Sequence, residues 1–238
     1  MLLYFIRFIL SFFVFFIGST IVVFLFVLGF VKTDRAYFYT RFLMPTLLKI
    51  YGIRVEVIGG DKLESHHPCV FIANHQHTLD LFVHGSMIPH RTITIGKKSL
   101  KWIPIFGWIF VLSDCILIDR SKRQSALDSM KEASREMNRK QISVWVFPEG
   151  TRSGSRGLLP FKKGAFHLAV QAGCPIVPIV NSSYHKCLNL KKWNSGTVRI
   201  EILEPISTKG LSEKDVASLM ERAHQIMSSK LDELNLKS

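Results

Sequence analysis

Acidic residues and cysteines are both scarce in this 238-residue chain. There are 18 Asp and Glu against 31 Lys and Arg, which leaves a net charge of +13. That excess favours anionic partners such as nucleic acids, phosphorylated metabolites or acidic lipid surfaces, without choosing among them. Only four cysteines occur, spaced singly and without a C-x-x-C pair, which disfavours a disulfide framework and a structural zinc site.

Several catalytic signatures are also missing. The chain contains no G-x-S-x-G nucleophile elbow, and each cysteine lies in apolar sequence typical of a core residue. His75, His77 and His84 have no carboxylate or cysteine at a recognisable ligand spacing, so we expect no bound metal. If the protein is an enzyme, these absences favour direct base catalysis over a covalent enzyme intermediate.

Charge is absent from residues 8–31, which read FILSFFVFFIGSTIVVFLFVLGFV. The run exceeds the ~20 apolar residues that a helix needs to cross a bilayer and is too long for the apolar part of a signal peptide. We therefore predict a membrane anchor, preferably a spanning helix. The interruption at Gly18-Ser19-Thr20 leaves a hairpin of two short helices in one leaflet as the alternative. Arg7 alone precedes the run and several basic residues follow it, so the positive-inside tendency predicts a cytosolic body.

The remainder of the chain divides into two parts. Residues 35–52 mix aromatic, leucine and basic side chains, which suits either a segment at the lipid interface or a helix packed on the core. We assign residues 1–52 to the membrane anchor and interfacial helix and residues 53–238 to one catalytic-size domain, because no repeat or long linker indicates another.

Short β-branched runs alternate with helical patterns after Ile53. Such alternation predicts an α/β fold, in which helices flank a mixed, largely parallel sheet. The predicted strands are Arg54–Ile58, Cys69–Ala73, Thr92–Ile95, Cys115–Ile118, Ser143–Phe147, Ile176–Val180 and Val198–Leu203. The two longest helical patterns extend from Lys122 to Asn138 and from Glu213 to about Leu234.

Asn74, His75 and Asp80 follow the second predicted strand, and open α/β sheets place their sites at strand ends. On one helix, side chains five residues apart point about 140° away from each other. His75 and Asp80 can therefore meet only if His75 lies in the turn and Asp80 in the following helix. A carboxylate bonded to one ring nitrogen makes the other nitrogen an effective general base. On the spacing alone, a purely structural hydrogen bond is the alternative.

The strand Ser143–Phe147 is followed by Pro148-Glu149-Gly150-Thr151-Arg152-Ser153. A turn that carries a glycine, a hydroxyl, a carboxylate and a guanidinium is suited to binding an oxyanion, although an ordinary turn with an exposed ion pair is the alternative. Lys97, Lys98 and Arg120 lie at the ends of other predicted strands, and Lys163 lies just before a predicted helix. Together they predict one phosphate-binding pocket.

These segments resemble the 1-acylglycerol-3-phosphate acyltransferase family, also called lysophosphatidic acid acyltransferases, over nearly all the chain after Arg54. The matching motifs are N-H-x4-D at residues 74–80, an apolar strand ending in Asp and Arg at 116–120, F-P-E-G-T-R-S at 147–153 and V-P-I-V at 177–180. The second motif commonly starts with Gly, where this chain has Cys115 or Asp114. Residues 96–108 and 159–169 resemble the eukaryotic, endoplasmic-reticulum branch.

The resemblance implies a glycerolipid acyltransferase fold and the transfer of an acyl chain from acyl-CoA to the sn-2 hydroxyl of lysophosphatidic acid. The product would be phosphatidic acid, used in phospholipid and triacylglycerol synthesis. It implies that His75 takes the hydroxyl proton while Asp80 orients His75. The implied substrate-binding residues are Asn74, Lys98, Arg120, Glu149, Gly150, Thr151, Arg152 and Lys163. Lys97 and Lys162 remain alternatives to their neighbours, and no cofactor is implied beyond acyl-CoA as co-substrate.

The resemblance also implies partners and a location. The expected partners are lysophosphatidic acid, acyl-CoA and membrane lipid, without nucleic acid, because no nucleic-acid reader motif occurs. The expected location is the endoplasmic reticulum membrane with the catalytic domain facing the cytosol. Two alternatives stay open: a same-fold acyltransferase that acts on glycerol 3-phosphate or another lysophospholipid, and a non-catalytic lipid-binding membrane protein.

Overall fold

A seven-stranded mixed sheet with helices on both faces forms the body of the protein. The structure is a computed structural model that describes residues 2–118 and 123–236. The strands are β1 (Ile53–Ile58), β2 (Val70–Ala73), β3 (Thr92–Lys97), β4 (Ile116–Ile118), β5 (Ser143–Val146), β6 (Ile176–Asn181) and β7 (Gly196–Ile202). They lie in the order β1-β7-β6-β2-β5-β3-β4, and every neighbouring pair is parallel except β6 and β7. The predicted α/β fold is confirmed.

The helices follow the predicted pattern where the sequence indicated them. They are α1 (Leu2–Val27), α2 (Arg35–Tyr51), α3 (Asp80–Val83), α4 (Phe106–Leu112), α5 (Arg123–Lys140), α6 (Gly164–Ala172), α7 (Tyr184–Cys187) and α8 (Val216–Leu236). The helix predicted from Glu213 begins with a short 3₁₀ turn at Glu213–Asp215 that leads into α8. Helix α5 corresponds to the other prediction, whose first residue, Lys122, lies outside the described residues.

The middle strands are buried on both faces, which explains their uninterrupted apolar sequences. In β2, Val70 and Ile72 belong to the core under α5, α6 and α8, while Phe71 and Ala73 belong to the core under α2, α3 and α7. Side chains alternate between the two faces of a strand, so each face of β2 needs its own apolar set. Two apolar layers therefore hold the centre of the sheet rigidly.

The carboxyl ends of β2 and β5 lie side by side and form a crevice. The chain leaves β2 through α3 toward β3, on the far side of β5, and leaves β5 through α6 toward β6, on the far side of β2. Adjacent parallel strands whose connections run in opposite directions leave an opening beyond their carboxyl ends, where α/β proteins bind ligands. Two predicted motifs, after β2 and after β5, therefore meet at this opening.

Helix α1 is one continuous helix, so the hairpin interpretation of the apolar run is wrong. Gly18, Ser19 and Thr20 lie inside it, and it is the one helix in the described part of the chain that is long and apolar enough to cross a membrane. The interruption has a packing reason. A Cβ at Gly18 would lie 2.6 Å from Leu43 Cδ1, and the Ser19 hydroxyl is 3.1 Å from the Tyr39 hydroxyl. The small residues allow α1 to approach α2 closely.

Arg7, which precedes the apolar run in the sequence, lies within α1 and is buried against the body. Its guanidinium donates hydrogen bonds to the carbonyl oxygens of Leu190, Lys192 and Trp193 and to the Ser195 hydroxyl, at 2.6–3.1 Å. At the other end of the helix, Val22 and Phe26 join an apolar cluster with α2 and α4. Helix α1 is therefore attached to the body near both of its ends.

Helix α2 occupies the segment for which the sequence left two interpretations. One side of the helix is buried between α1 and the body, including Leu43, Met44 and Leu47, and this favours the packed-helix alternative. Phe42, on the other side, is half exposed. The segment thus joins the apolar α1 to the sheet and also keeps an aromatic side chain at the surface.

Candidate active site

The two side chains of the N-H-x4-D motif are in direct contact. His75 lies in the turn after β2, Asp80 is the first residue of α3, and His75 Nδ1 is 2.7 Å from Asp80 Oδ2. The arrangement is the one that the five-residue spacing requires. A carboxylate at Nδ1 places the proton on that nitrogen and leaves Nε2 as the basic atom of a neutral ring.

The carboxylate of Asp80 is held by donors at both oxygens. Oδ2 accepts hydrogen bonds from the backbone N–H groups of Gln76 and His77, at 2.7 and 2.9 Å, in addition to the His75 ring. Oδ1 accepts a hydrogen bond from the Tyr184 hydroxyl. Burial alone would raise the pKa of Asp80, but the His75 bond, the neighbouring His84 and the Tyr184 bond together hold that pKa below its ordinary value. Asp80 is therefore an anion at neutral pH.

The imidazole of His75 is fixed on one face and partly open to solvent. It stacks on Phe147, with ring centroids 4.2 Å apart and an interplanar angle of 18°. Its side chain is 20% exposed, and among the described residues no hydrogen bond to Nε2 occurs. An oriented ring with one accessible basic nitrogen is the geometry that a general base requires.

The turn after β5 is attached directly to the turn that carries His75. Ser153 N–H donates to the His75 carbonyl at 2.8 Å, and Gly154 N–H donates to the Gln76 carbonyl at 3.1 Å. The Glu149 carboxylate accepts from His75 N–H at 2.6 Å and from Leu159 N–H at 3.0 Å. Residues 147–154 therefore form one unit with the histidine turn.

Glu149 makes contacts within the protein that the motif alone does not indicate. Its side chain is buried, and both carboxylate oxygens accept backbone N–H groups, so it connects the two turns and the segment at Leu159. Burial raises the pKa of Glu149 to about 7, although the two N–H donors and the nearby His75 act in the opposite direction. These contacts support a structural role for Glu149 in forming the site, in addition to the contact with substrate that the family resemblance implies.

Gly150 is needed for both its backbone angle and its small size. Its φ is +68°, which favours glycine, and a Cβ there would lie 2.8 Å from Lys162 Nζ. The Lys162 side chain thus extends over the F-P-E-G-T-R-S turn. The neighbouring Lys163, preferred on the resemblance, immediately precedes α6 and is exposed. The alternative choice of Lys162 therefore has the closer contact with the turn.

Asn74 and Gln76 join the ends of β2 and β6. Asn74 donates to the Asn181 carbonyl at 3.0 Å and accepts from Asn181 N–H at 2.9 Å. Gln76 donates to the Asn181 and Ser182 carbonyls and accepts from Tyr184 N–H. Asn74 is buried, so its described contacts position the histidine turn.

The remaining predicted binding residues are less closely connected to His75. Thr151 and Arg152 lie in the turn after β5, and both are exposed. Lys98 follows β3, which is separated from β2 by β5, and it too is exposed. Arg120 lies outside the described residues. Across residues 2–118 and 123–236, no group of three or more His, Cys, Asp or Glu side chains is placed to hold a metal ion.

Sequence reasoning missed three contributors to this site. Phe147 is predicted as a strand residue and as the first residue of the F-P-E-G-T-R-S motif, without a role of its own. Tyr184 lies 104 positions from its partner Asp80. Gln76 falls within the first motif at a position that the motif leaves variable. The only available signal for Tyr184 is its position four residues after the V-P-I-V segment. That segment lies in β6, which is a neighbour of β2 in the sheet.

Comparison with known proteins places this site in a family. The family model described as Acyltransferase matches residues 54–182, more than half of the chain. The chain belongs to the Acyltransferase family. This confirms the resemblance based on the four motifs.

Individual relatives are similar over most of the chain. It is 40% identical over 189 residues to the 1-acyl-sn-glycerol-3-phosphate acyltransferase of Haemophilus influenzae, covering 79% of each chain. It is 41% identical over 179 residues to the human 1-acyl-sn-glycerol-3-phosphate acyltransferase beta, covering 74% of this chain and 64% of the human one. Bacterial and human relatives are about equally similar, so these values do not favour the eukaryotic branch.

The fold has a solved counterpart. The crystal structure of the 1-acyl-sn-glycerophosphate (LPA) acyltransferase from Thermotoga maritima superimposes with a TM-score of 0.68, at 23% identity, over 96% of this chain and 95% of that one. The likeness extends over the apolar amino-terminal part as well as the sheet, and it supports the fold described above.

Proposed function

We propose that the protein transfers an acyl chain to the sn-2 hydroxyl of lysophosphatidic acid and forms phosphatidic acid, with acyl-CoA as the donor. The observation that carries this proposal is the His75–Asp80 contact of 2.7 Å, with the second ring nitrogen accessible at the crevice. The relatives named 1-acyl-sn-glycerol-3-phosphate acyltransferase support the choice of acceptor. The donor rests on the family resemblance.

The chemistry needs only groups that this crevice contains. His75 Nε2 takes the proton of the acceptor hydroxyl while that oxygen forms a bond to the thioester carbonyl carbon. The carbon–sulfur bond then breaks, and the proton on Nε2 passes to the leaving thiolate, which leaves as CoA. Asp80, anionic and held by three further donors, stabilises the imidazolium formed between these two steps. Base assistance of this kind contributes about 10²–10⁴-fold.

The phosphate of the acceptor fits the cationic side of the crevice. Arg152 is exposed beside Gly150, and Lys162 extends over the same turn. Because the turn is hydrogen-bonded to the backbone of His75, a phosphate bound there would be held at a constant distance from the base. We propose Arg152 and Lys162 as the principal phosphate ligands among the described residues.

The activity test measures the lipid product directly. Purified protein in detergent–lipid micelles is given lysophosphatidic acid with several acyl-CoA species, and the product is identified by mass. Glycerol 3-phosphate and lysophospholipids with larger headgroups are tested in parallel as acceptors. We expect phosphatidic acid from wild type and none from His75→Ala. The matched control that retains transfer is His66→Ala, because within residues 2–118 and 123–236 the His66 ring bonds only to exposed Ser65. Preference for a different acceptor, or unchanged transfer by His75→Ala, would contradict the proposal.

We also propose that α1 lies in one leaflet and does not span the membrane. A helix rises ~1.5 Å per residue, so Arg7 and Phe26 are about 28 Å apart along α1, close to the ~30 Å bilayer core. Both points contact the body, and the segment that binds Arg7 contains the exposed Lys191 and Lys192. A spanning α1 would pull these lysines across the membrane.

The outer side of α1 and the outer side of α4 form one apolar surface. Phe15 of α1 and Phe106 of α4 are in contact, with ring centroids 5.7 Å apart, and Trp108 and Val111 are more than half exposed on α4. The exposed tryptophan at 193 lies beside Lys191 and Lys192, a combination typical of the lipid headgroup level. With this apolar surface in the lipid, the crevice would lie at the headgroup level of the membrane. A lysophospholipid presents its hydroxyl and phosphate at that level.

Labelling from one side of sealed vesicles tests the membrane arrangement. In a background without native cysteines, Leu2→Cys and Lys32→Cys report on the two ends of α1 with a membrane-impermeant maleimide. We expect both to react from the side that carries the body, whereas reaction from opposite sides would establish a spanning helix. We propose the cytosolic face of the endoplasmic reticulum as that side, and fluorescence microscopy with protease protection of tagged protein in cells tests it.

A further inference from the structure

A buried tyrosine lies behind the histidine–aspartate pair, on the side away from the crevice. Tyr184 is the first residue of α7, and its hydroxyl donates to Asp80 Oδ1, the oxygen that the His75 ring does not contact. We propose that Tyr184 is a positioning residue for the acyl transfer proposed above: its hydroxyl restrains the Asp80 carboxylate and limits how strongly Asp80 holds a proton on His75. Because Tyr184 is buried and bonded to Asp80, it acts through Asp80.

Tyr184 is held in place by a hydrogen bond from its backbone N–H as well as by the one from its hydroxyl. Tyr184 N–H donates to Gln76 Oε1 at 3.1 Å, and Gln76 N–H donates to Asp80 Oδ2 at 2.7 Å. Tyr184 and Asp80 are therefore joined twice, once directly and once through Gln76. Tyr184 is also buried among apolar side chains of the sheet core, which leaves its hydroxyl no route to water. A rigid donor in such a place orients its acceptor.

The effect of Tyr184 on His75 has a definite direction, because the two oxygens of the Asp80 carboxylate share one negative charge. A hydrogen bond to a carboxylate stabilises the charged form and withdraws electron density from it. The more density Tyr184 draws toward Oδ1, the less Oδ2 stabilises a protonated His75. The Tyr184 bond therefore makes it easier for His75 to lose its proton. His75 must be neutral before each reaction begins, and it must give up its proton again when the leaving thiolate is protonated.

Several titratable groups face Asp80 and Tyr184. Asp80 is faced by His75 from the turn after β2, by His84 from α3, with Nε2 3.8 Å from Oδ1, and by Glu149 from the turn after β5. Tyr184 is faced by Asp80 and by Cys187 of its own helix. Burial and the anionic Asp80 raise the pKa of Tyr184 well above its ordinary value, so the phenol remains a donor throughout the working pH range.

Two changes at position 184 have opposite expected effects. Tyr184→Phe removes the donor, and 3,5-difluorotyrosine at position 184 makes the donor stronger with little change in shape. The first is expected to move the acid limb of the kcat profile to higher pH by about 0.5–1 unit, which lowers the rate about three- to tenfold at a fixed pH below the limb. The second is expected to move the limb to lower pH. KM for both substrates stays unchanged, because Tyr184 contacts neither.

A second measurement needs no substrate. The ring signals of His75, assigned by their loss in His75→Gln, are followed against pH by NMR of histidine-labelled protein. Their titration midpoint is expected to shift in the same two directions. Tyr39→Phe is the matched control, since Tyr39 is also a buried phenol with one hydrogen bond, 3.1 Å from Ser19, and its loss should leave the His75 midpoint unchanged.

The outcomes separate the two proposals. Equal midpoints in wild type and both position-184 variants would overturn the role of Tyr184, even if acyl transfer is observed. Shifted midpoints in a protein that acylates no glycerolipid would uphold Tyr184 as the positioning residue of the pair and overturn the proposed reaction. If Tyr184→Phe does not fold, the difluorotyrosine protein alone decides, because only a positioning role predicts its downward shift.

Discussion

Replacing Asp80 with asparagine removes the negative charge behind His75 while keeping the shape of the side chain. The orientation of the new amide follows from the donors around it. At the Oδ2 position three N–H groups point inward, from Gln76, His77 and the His75 ring, so an NH2 group there would face only other donors. At the Oδ1 position the Tyr184 hydroxyl can rotate and accept. The carbonyl oxygen of the introduced asparagine therefore takes the Oδ2 position and still accepts from Nδ1 of His75.

This orientation sets the size of the expected defect. Where asparagine presents its NH2 to the histidine, the ring adopts the wrong tautomer and the rate falls about 10⁴-fold, as in serine proteases. Here the correct tautomer is retained, and what is lost is the attraction between an anion and the imidazolium. A neighbouring opposite charge changes a titration by about 1–3 units, so we expect Asp80→Asn to lose about 10–10³-fold in kcat.

The assay follows thiol release from acyl-CoA with lysophosphatidic acid, as a function of pH. The acid limb of Asp80→Asn should move to lower pH, because the imidazolium has lost its stabilising anion, while KM for the acceptor changes little. A loss of 10⁴-fold or more would mean that the amide orients the other way. A loss of less than about threefold would mean that Asp80 does not support catalysis at all.

Three further changes test other parts of the structure. Arg152→Ala should raise the lysophosphatidic acid concentration for half-maximal rate at least about tenfold and leave that for acyl-CoA unchanged, with Arg222→Ala on the exposed side of α8 as control. Because burial raises the pKa of Glu149 from 4.5 to about 7, its contribution to folding stability is complete below pH 4.5 and declines, by about 3 kcal/mol, as the pH rises to about 7. Urea unfolding of detergent-solubilised Glu149→Gln should lack this decline, and an equally steep one would refute the burial argument. Arg7→Met should lower the unfolding free energy by about 2–4 kcal/mol, because the carbonyl oxygens of Leu190, Lys192 and Trp193 lose a charged donor. Proteolysis at residues 190–195 should also become faster. Unchanged thermal unfolding would contradict the attachment of α1 to the body.

The sheet could be predicted because its strands follow simple rules of burial. β2, β5 and β6 are parallel and buried on both faces, so each appears as a short apolar run between polar turns. The contact between His75 and Asp80 was equally accessible, since helical geometry permits one arrangement for that spacing. Local sequence was sufficient wherever the determining interactions are local.

The parts that could not be predicted depend on distant segments. Nothing near Tyr184 indicates that its hydroxyl will bind a carboxylate 104 positions earlier. Glu149 looks like a binding residue in the sequence, yet its oxygens are occupied by two backbone N–H groups that only the folded chain brings together. The Gly18-Ser19-Thr20 interruption resembles a break, whereas Gly18 and Ser19 lie against Leu43 and Tyr39 of α2. Each of these features depends on a partner that the tertiary fold supplies.

The way α1 is attached has a practical consequence for anyone preparing the protein without detergent. A fragment that begins after α1 would uncover the apolar inner side of α2 at Leu43 and Leu47 and leave without a donor the carbonyls that Arg7 now satisfies. Such a fragment should aggregate more than the intact chain. A water-compatible version is better sought by replacing the outward phenylalanines of α1, such as Phe5, Phe12 and Phe16, with polar residues while its inward side is left intact.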